Sequence, residues 1–342
     1  KTFTTPFIFS GILISTVLLS TCNNWLMAWI CLELNTITIL PTISKTKHPR
    51  AIEAATKYFL TQAIASCLLL FSSTMNAWQT GSWDITQMHN NFSSALMLIA
   101  LTMKAGTVPT HFWLPEVMQG STLMTALLIS TWQKIAPTML IFLLSNHTHP
   151  TITLTLGLLS ALFGGWGGMN QTQLRKMMAY SSITNMGWTV LVLSFNPKMS
   201  IINIITYIAL TTPTFLLLNL TSTKTLKDLT TTWTTSSTAS SMLALLFLST
   251  AGLPPLTGFF PKLMILTELM DQSLVLVALM MMVASLLNLV FYLRTTYLTT
   301  ILNPPNSTMA TTKWRQNPPT QNAAMLTPTA LTSMMATPTL IP

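Results

Sequence analysis

The stretch LTMKAGTVPTHFWLPE, residues 101–116, sets Lys104, His111, Glu116 and two prolines inside an otherwise apolar run. Comparable surroundings hold Glu33 in CLELN, Lys134 in TWQKIAPT and Lys262 in AGLPPLTGFFPK. A lysine removed from water gives up its proton more readily, and a nearby carboxylate restores it. A series of such groups is suited to taking up and releasing protons. The competing reading is a set of static internal ion pairs that lock helices together.

Prolines accompany these charges. Pro109 follows Lys104, Pro137 follows Lys134, and Pro254, Pro255 and Pro261 precede Lys262. Each proline inside a helix removes a backbone hydrogen bond and strains against the preceding turn, at about 3 kcal/mol if nothing compensates. The carbonyls set free would be those of Ala105, Gln133, Thr250, Ala251 and Thr257. Irregular backbone of this kind survives at membrane depth only where it is buried in protein or lines a wet cavity. A lysine beside a broken helix is therefore read as a station on a hydrated polar path.

The elements that must position these groups follow from composition. Of 342 residues, 50% are apolar and only 7% charged, with a mean hydropathy of +0.55. That leaves too few polar groups to cover a soluble globule. Windows of about 19 residues give spans near 5–22, 25–43, 56–77, 93–118, 121–145, 150–169, 174–194, 199–221, 240–268, 273–293 and 324–341, with a loop over 295–323. The reading is an all-α polytopic membrane protein of about eleven transmembrane helices forming one domain. Continuous runs of this length exclude the short alternating segments of a membrane barrel.

Depth distinguishes the charges. Lys104 and Lys134 lie about 15 Å or more from either end of their spans, and Glu33 about 12 Å, at the rise of a helix. A lysine stem does not reach that far, and retaining such ions costs at least about 2.5–3.5 kcal/mol each. Lys57 differs, because it lies near a helix end and one turn after Glu53, where an i,i+4 pair and a snorkelling stem suffice.

Basic residues set the orientation. Lys1, Lys45, Lys47, Arg50, Arg175, Lys176, Lys224, Lys227, Arg294, Lys313 and Arg315 fall at the N-terminus or in even-numbered connections, and Lys198 alone in an odd one. The N-terminus is therefore expected on the inner side and the C-terminus outside. The net charge of +9 reflects this topology, so no nucleic-acid partner is expected. Membrane lipids or neighbouring helices are expected on the apolar outer faces.

Redox chemistry within the chain is not indicated. Cys22, Cys31 and Cys67 form no C-x-x-C pair, which argues against an iron–sulfur site or a disulfide framework. No G-x-G-x-x-G follows a strand, so no dinucleotide or other cofactor site, and no metal site, is expected. GGWGG at 164–168 reads as close helix contact. His111, just after Pro109, and Glu116 are accessory candidates beside the four principal charges.

Three segments, KAGTVPTHFWLPE, QLRKMMAYSSITNMGW and AGLPPLTGFFPK, together with EAATKYFLTQA and TWQKIAPT, resemble the antiporter-like membrane subunits of respiratory complex I. The resemblance runs from about the second expected helix to the tenth. It implies an antiporter-like fold with two broken helices in inverted repeats, and a proton relay in which Glu33 is the first carboxylate, Lys104 its partner, Lys134 the central bridge and Lys262 the distal group. It also implies other complex I membrane-arm and accessory subunits as partners, with FMN, iron–sulfur clusters and ubiquinone in other chains.

The mitochondrial inner membrane is the implied location, with the N-terminus on the matrix side and the C-terminus on the intermembrane-space side. The absence of a basic, serine-rich start agrees with synthesis inside the organelle. Two departures stand out. Bacterial members have about fourteen helices, and some relatives carry glutamate where this sequence has Lys262. The readings that compete with a complex I subunit are a stand-alone cation/proton antiporter and a scaffold with static buried ion pairs.

Overall fold

The computed structural model describes residues 4–88, 90–254 and 256–301, so the span expected at 324–341 and Pro255 lie outside the described residues. Among those described, the chain is helical throughout, with isolated bridges in place of any sheet. By length and composition, six helical segments suffice to cross a membrane, and three shorter apolar helices accompany them.

The chain divides into two compact units, one taking in residues up to Ser160 together with Val190–Pro197, and the other Ala161–Thr189 with the described chain from Lys198 onward.

The first unit opens with α1 (Thr4–Thr21), α2 (Trp25–Ile43) and α3 (Pro49–Thr80). α3 starts seven residues before the span expected at 56–77, because Pro49 occupies its first turn and the His48 side chain accepts from the Arg50 N–H. Proline is at home there, where its missing donor has no intrahelical partner to lose. The expected span 93–118 is two helices, α4 (Asn91–Ala105) and α5 (Trp113–Gly120). Gly106, at φ 81°, caps α4 by donating to the Thr102 and Met103 carbonyls, a left-handed conformation that favours glycine.

The expected span 121–145 comprises α6 (Leu123–Ser130) and α7 (Trp132–Leu144). Its interruption falls at Thr131, at φ/ψ −110°/−71°, while Pro137 lies inside α7. Pro137 itself lies six residues after this interruption. The Thr131 N–H and hydroxyl both return to the Leu127 carbonyl, at 3.0 and 2.7 Å, and close α6 before the proline is reached.

α8 (Pro150–Met169) and α9 (Leu174–Val192) contribute residues to both units. The second unit continues through α10 (Pro197–Leu220), the short α11 (Leu226–Leu229) and α12 (Thr232–Thr235), then α13 (Ser237–Ala251), α14 (Phe259–Asp271) and α15 (Val275–Thr300).

The expected span 240–268 is broken at Gly252, which adopts φ 85° and donates to the Leu248 and Ser249 carbonyls. Pro254 falls in this break, whereas Pro261 is the third residue of α14. Pro261 therefore begins a helix instead of breaking one, for the reason that applies to Pro49. The loop boundary expected at 295 falls inside α15. Thr295, Thr296 and Thr299 donate to carbonyls one turn back, and the helix continues to Thr300.

Apolar side chains fill the interior and also cover much of the exterior. Val17, Leu60, Leu276 and Leu286 are exposed, whereas Asn35, Gln62, Asn76, Asn203 and Asn288 are buried. The hydrophobic exterior faces lipid, and the interior gathers groups that must be hydrogen-bonded there.

Glycines set the close helix contacts. A Cβ on Gly157 would come within 2.5 Å of the Leu191 Cβ, and one on Gly164 within 2.5 Å of the Thr184 side chain and 2.9 Å of the Thr184 N. The GGWGG segment accordingly serves backbone approach. Gly164→Val is expected to destabilise the protein by about 1–3 kcal/mol through overpacking, read as a lower midpoint for thermal unfolding in detergent.

Candidate functional site

In the first unit, α2 packs on α3 and α7, α3 on α4 and α5, and α4 on α7. This arrangement gathers three of the charges singled out by the sequence. The Lys104 Nζ lies 3.9 Å from the Glu33 Oε1, with side chains 3% and 25% exposed. Neither of those two atoms has a hydrogen-bond partner among the described residues, so they form an ion pair at the outer limit of contact. Thr36 donates to the other Glu33 oxygen at 3.4 Å and to the Glu33 carbonyl at 2.8 Å, which orients the carboxylate.

Lys104 occupies the last turn of α4, where the unpaired carbonyls and the helix dipole favour a cation. Gln62 donates to its carbonyl at 3.4 Å. Thr107 supplies both its N–H and its hydroxyl to the Thr102 carbonyl, at 3.1 Å each. The break that the sequence assigns to Pro109 is thus held by Gly106 and Thr107, with Pro109 inside the irregular segment 106–112.

Lys134 is the third residue of α7 and is 3% exposed. Its main-chain carbonyl accepts from the Thr138 hydroxyl at 2.8 Å. Lys104 and Lys134 line one cavity of about 20 Å³ with Asn35, Tyr58, Gln62 and Gln133, large enough to take a water molecule. Gln133 donates to the Asn35 side chain across that cavity at 2.9 Å. Sequence reasoning passed over these amides. The available signal was their presence as Asn and Gln within apolar spans, where polar side chains commonly bond between helices.

The fourth charge belongs to the second unit. Lys262, in the first turn of α14, donates to the Ala251 carbonyl at 2.7 Å. Ala251 is the last residue of α13, and its carbonyl is among those the sequence marked as free. The ammonium thus satisfies a helix C-terminus that would otherwise be exposed at the break. Around it lies a cavity of about 10 Å³ lined by Asn185, Asn203, Thr206, Tyr207 and Thr250.

Glycines admit Lys262 to this position. A Cβ on Gly252 would stand 2.9 Å from the Lys262 Nζ, and one on Gly258 would collide with the Ser249 carbonyl.

The accessory candidates separate. His111 is buried in the 106–112 segment. Glu116 is half-exposed on α5 and pairs with Lys57 at 2.6 Å, while Lys57 also holds Glu53 at 2.5 Å. This three-membered cluster was only half legible. The i,i+4 pair follows from spacing, whereas the Glu116 arm depends on α5 folding back onto α3.

The sequence profile described as "NADH:quinone oxidoreductase/Mrp antiporter, TM" matches residues 22–288. NADH-ubiquinone oxidoreductase chain 2 of Polypterus ornatipinnis is 49% identical over 313 residues, 90% of each chain. The chain belongs to this family.

Its namesake from Xenopus laevis is 50% identical over 297 residues, 86% of each chain. Among solved structures, respiratory complex I from Thermus thermophilus with bound Aureothin contains a chain similar at a TM-score of 0.84 and 23% identity, covering 97% of this chain and 79% of that one. The Mrp complex from Dietzia sp. DQ12-45-1b gives 0.83 and 16%, covering 97% and 75%. Both likenesses identify the antiporter-like membrane fold of the family.

Two glycine substitutions separate backbone strain from displacement of the lysine. Gly81, at φ 70°, has nothing within 4 Å of an added Cβ. Gly81→Ala is expected to cost about 1–2 kcal/mol of unfolding free energy through left-handed backbone strain. Gly252→Ala is expected to cost more, because Lys262 must also leave the Ala251 carbonyl. Thermal unfolding of the two variants side by side checks the ordering.

Proposed function

We propose that this chain is a proton-translocating membrane-arm subunit of respiratory complex I, in the mitochondrial inner membrane, with its N-terminus on the matrix side and its C-terminus on the intermembrane-space side. Protons move through Glu33, Lys104, Lys134 and Lys262 while electron transfer proceeds in other subunits, which carry the flavin, the iron–sulfur clusters and the ubiquinone site. His111 and Glu116 are accessory to this path. The observation that carries the reading is the long Glu33–Lys104 contact beside a helix break, opening on a water-sized cavity shared with Lys134.

The chemistry follows from that geometry. An ammonium opposite a carboxylate at 3.9 Å is attracted electrostatically without a direct hydrogen bond locking the proton in place. A water in the shared cavity would give Lys104 and Lys134 a common proton acceptor, and the Asn35–Gln133 amides can donate to it and accept from it. Net transport requires two states of the protein that differ in affinity for the proton. In the proposed complex, the redox subunits supply the energy that alternates them.

In assembled complex reconstituted into vesicles, Lys134→Met is expected to leave assembly intact and lower the number of protons pumped per NADH oxidised, or the coupled turnover. Unchanged pumping and turnover would make these lysines structural ions and overturn the proposal. Loss of assembly with no separate pumping defect in the residual complex would favour the scaffold reading. Cation exchange by the isolated chain in liposomes would favour the stand-alone antiporter.

A further inference from the structure

Two thiols nine residues apart meet at the α1–α2 hairpin. Cys22 begins the three-residue connection after α1, Cys31 lies in the second turn of α2, and their Sγ atoms are 3.9 Å apart. Cys31 is buried in the core cluster that includes Trp25, Ala28 and Leu140, and Cys22 packs half-buried against the same cluster. The Cys22 Sγ donates to the Leu18 carbonyl at 2.9 Å. The connection itself is tied down, since the Trp25 N–H donates to the Trp83 carbonyl and the Ile85 N–H to the Asn23 carbonyl, each at 2.9 Å. Packing on both sides thus holds the sulfurs together. Cys67, exposed on α3, takes no part in this contact.

We propose that Cys22 and Cys31 form a dithiol modification site that reacts with hydrogen peroxide and closes to an intramolecular disulfide. Cys22, the more accessible sulfur, attacks one peroxide oxygen as its thiolate. The O–O bond breaks, one oxygen leaves as water, and Cys22 becomes a sulfenic acid. The Cys31 sulfur then displaces the hydroxyl, which departs as a second water with the remaining thiol proton. Two thiols are oxidised by two electrons and one peroxide is reduced to two waters. Reaching a bond of about 2.05 Å requires the sulfurs, now 3.9 Å apart, to close by about 2 Å.

A thiol with such a partner is diverted from irreversible oxidation, whereas an isolated thiol under sustained peroxide continues to the sulfinic acid. The three cysteines therefore provide an internal comparison. Purified, assembled complex is treated with hydrogen peroxide, alkylated, digested and analysed by mass spectrometry, with and without subsequent reduction. The expected result is a Cys22–Cys31 crosslinked peptide lacking two hydrogens, equal loss of alkylation at both sites, and recovery of both on reduction, with Cys67 outside the crosslink. Cys31→Ser should abolish the crosslink and leave Cys22 unrecoverable by reduction. If wild-type Cys22 oxidises while Cys31 stays alkylatable, or if neither loses alkylation where Cys67 does, the proposal is overturned.

Discussion

The structure depends on one constraint, that backbone polar groups at membrane depth must be satisfied within the protein. Unbroken helices meet it automatically, whereas α4/α5 and α13/α14 do not, and each of those breaks is closed by local devices. Gly106 and Gly252 turn into the left-handed region and return their N–H groups to the final carbonyls. A cation then stands at the negative end of α4 and of α13. Lys104 does so from the last turn of α4, and Lys262 by reaching back from α14 to the Ala251 carbonyl. The same electrostatic need is met from opposite sides of the gap.

The two kinds of ion contact in the first unit are physically different. Lys57 is engaged by Glu53 and Glu116 at hydrogen-bonding distance, on a half-exposed face. Such a cluster joins α3 to α5 and leaves its lysine little freedom. Lys104 and Glu33 are more deeply buried, farther apart and short of direct hydrogen bonding. Burial of an ion pair without that compensation is costly, which is the reason to associate the second pair, and not the first, with proton movement.

Polar side chains between the lysines give the proposed path its medium. Asn35, Gln62 and Gln133 lie around the cavity shared by Lys104 and Lys134, and Asn185, Asn203 and Thr206 around the one beside Lys262. Amides both donate and accept, so they can support a water in more than one orientation. The apolar exterior keeps these groups out of contact with lipid.

Much of this was legible in the sequence, because the bilayer imposes a length and a composition on anything that crosses it. The apolar runs gave the helical class, the depth of Glu33, Lys104, Lys134 and Lys262 set them apart from the other charges, and prolines pointed to the segments around residues 109 and 254. The sequence located the breaks less finely than it located the charges, since a proline reports only its missing donor. Whether it interrupts a helix, as the segment around Pro109 does, or starts one, as Pro261 does, depends on where the neighbouring hydrogen bonds close. Tertiary structure alone decided which distant groups meet: Glu116 with Lys57, Asn35 with Gln133, Lys262 with Ala251, and Cys22 with Cys31. Those contacts depend on how helices pack and turn back on one another, which no local spacing encodes.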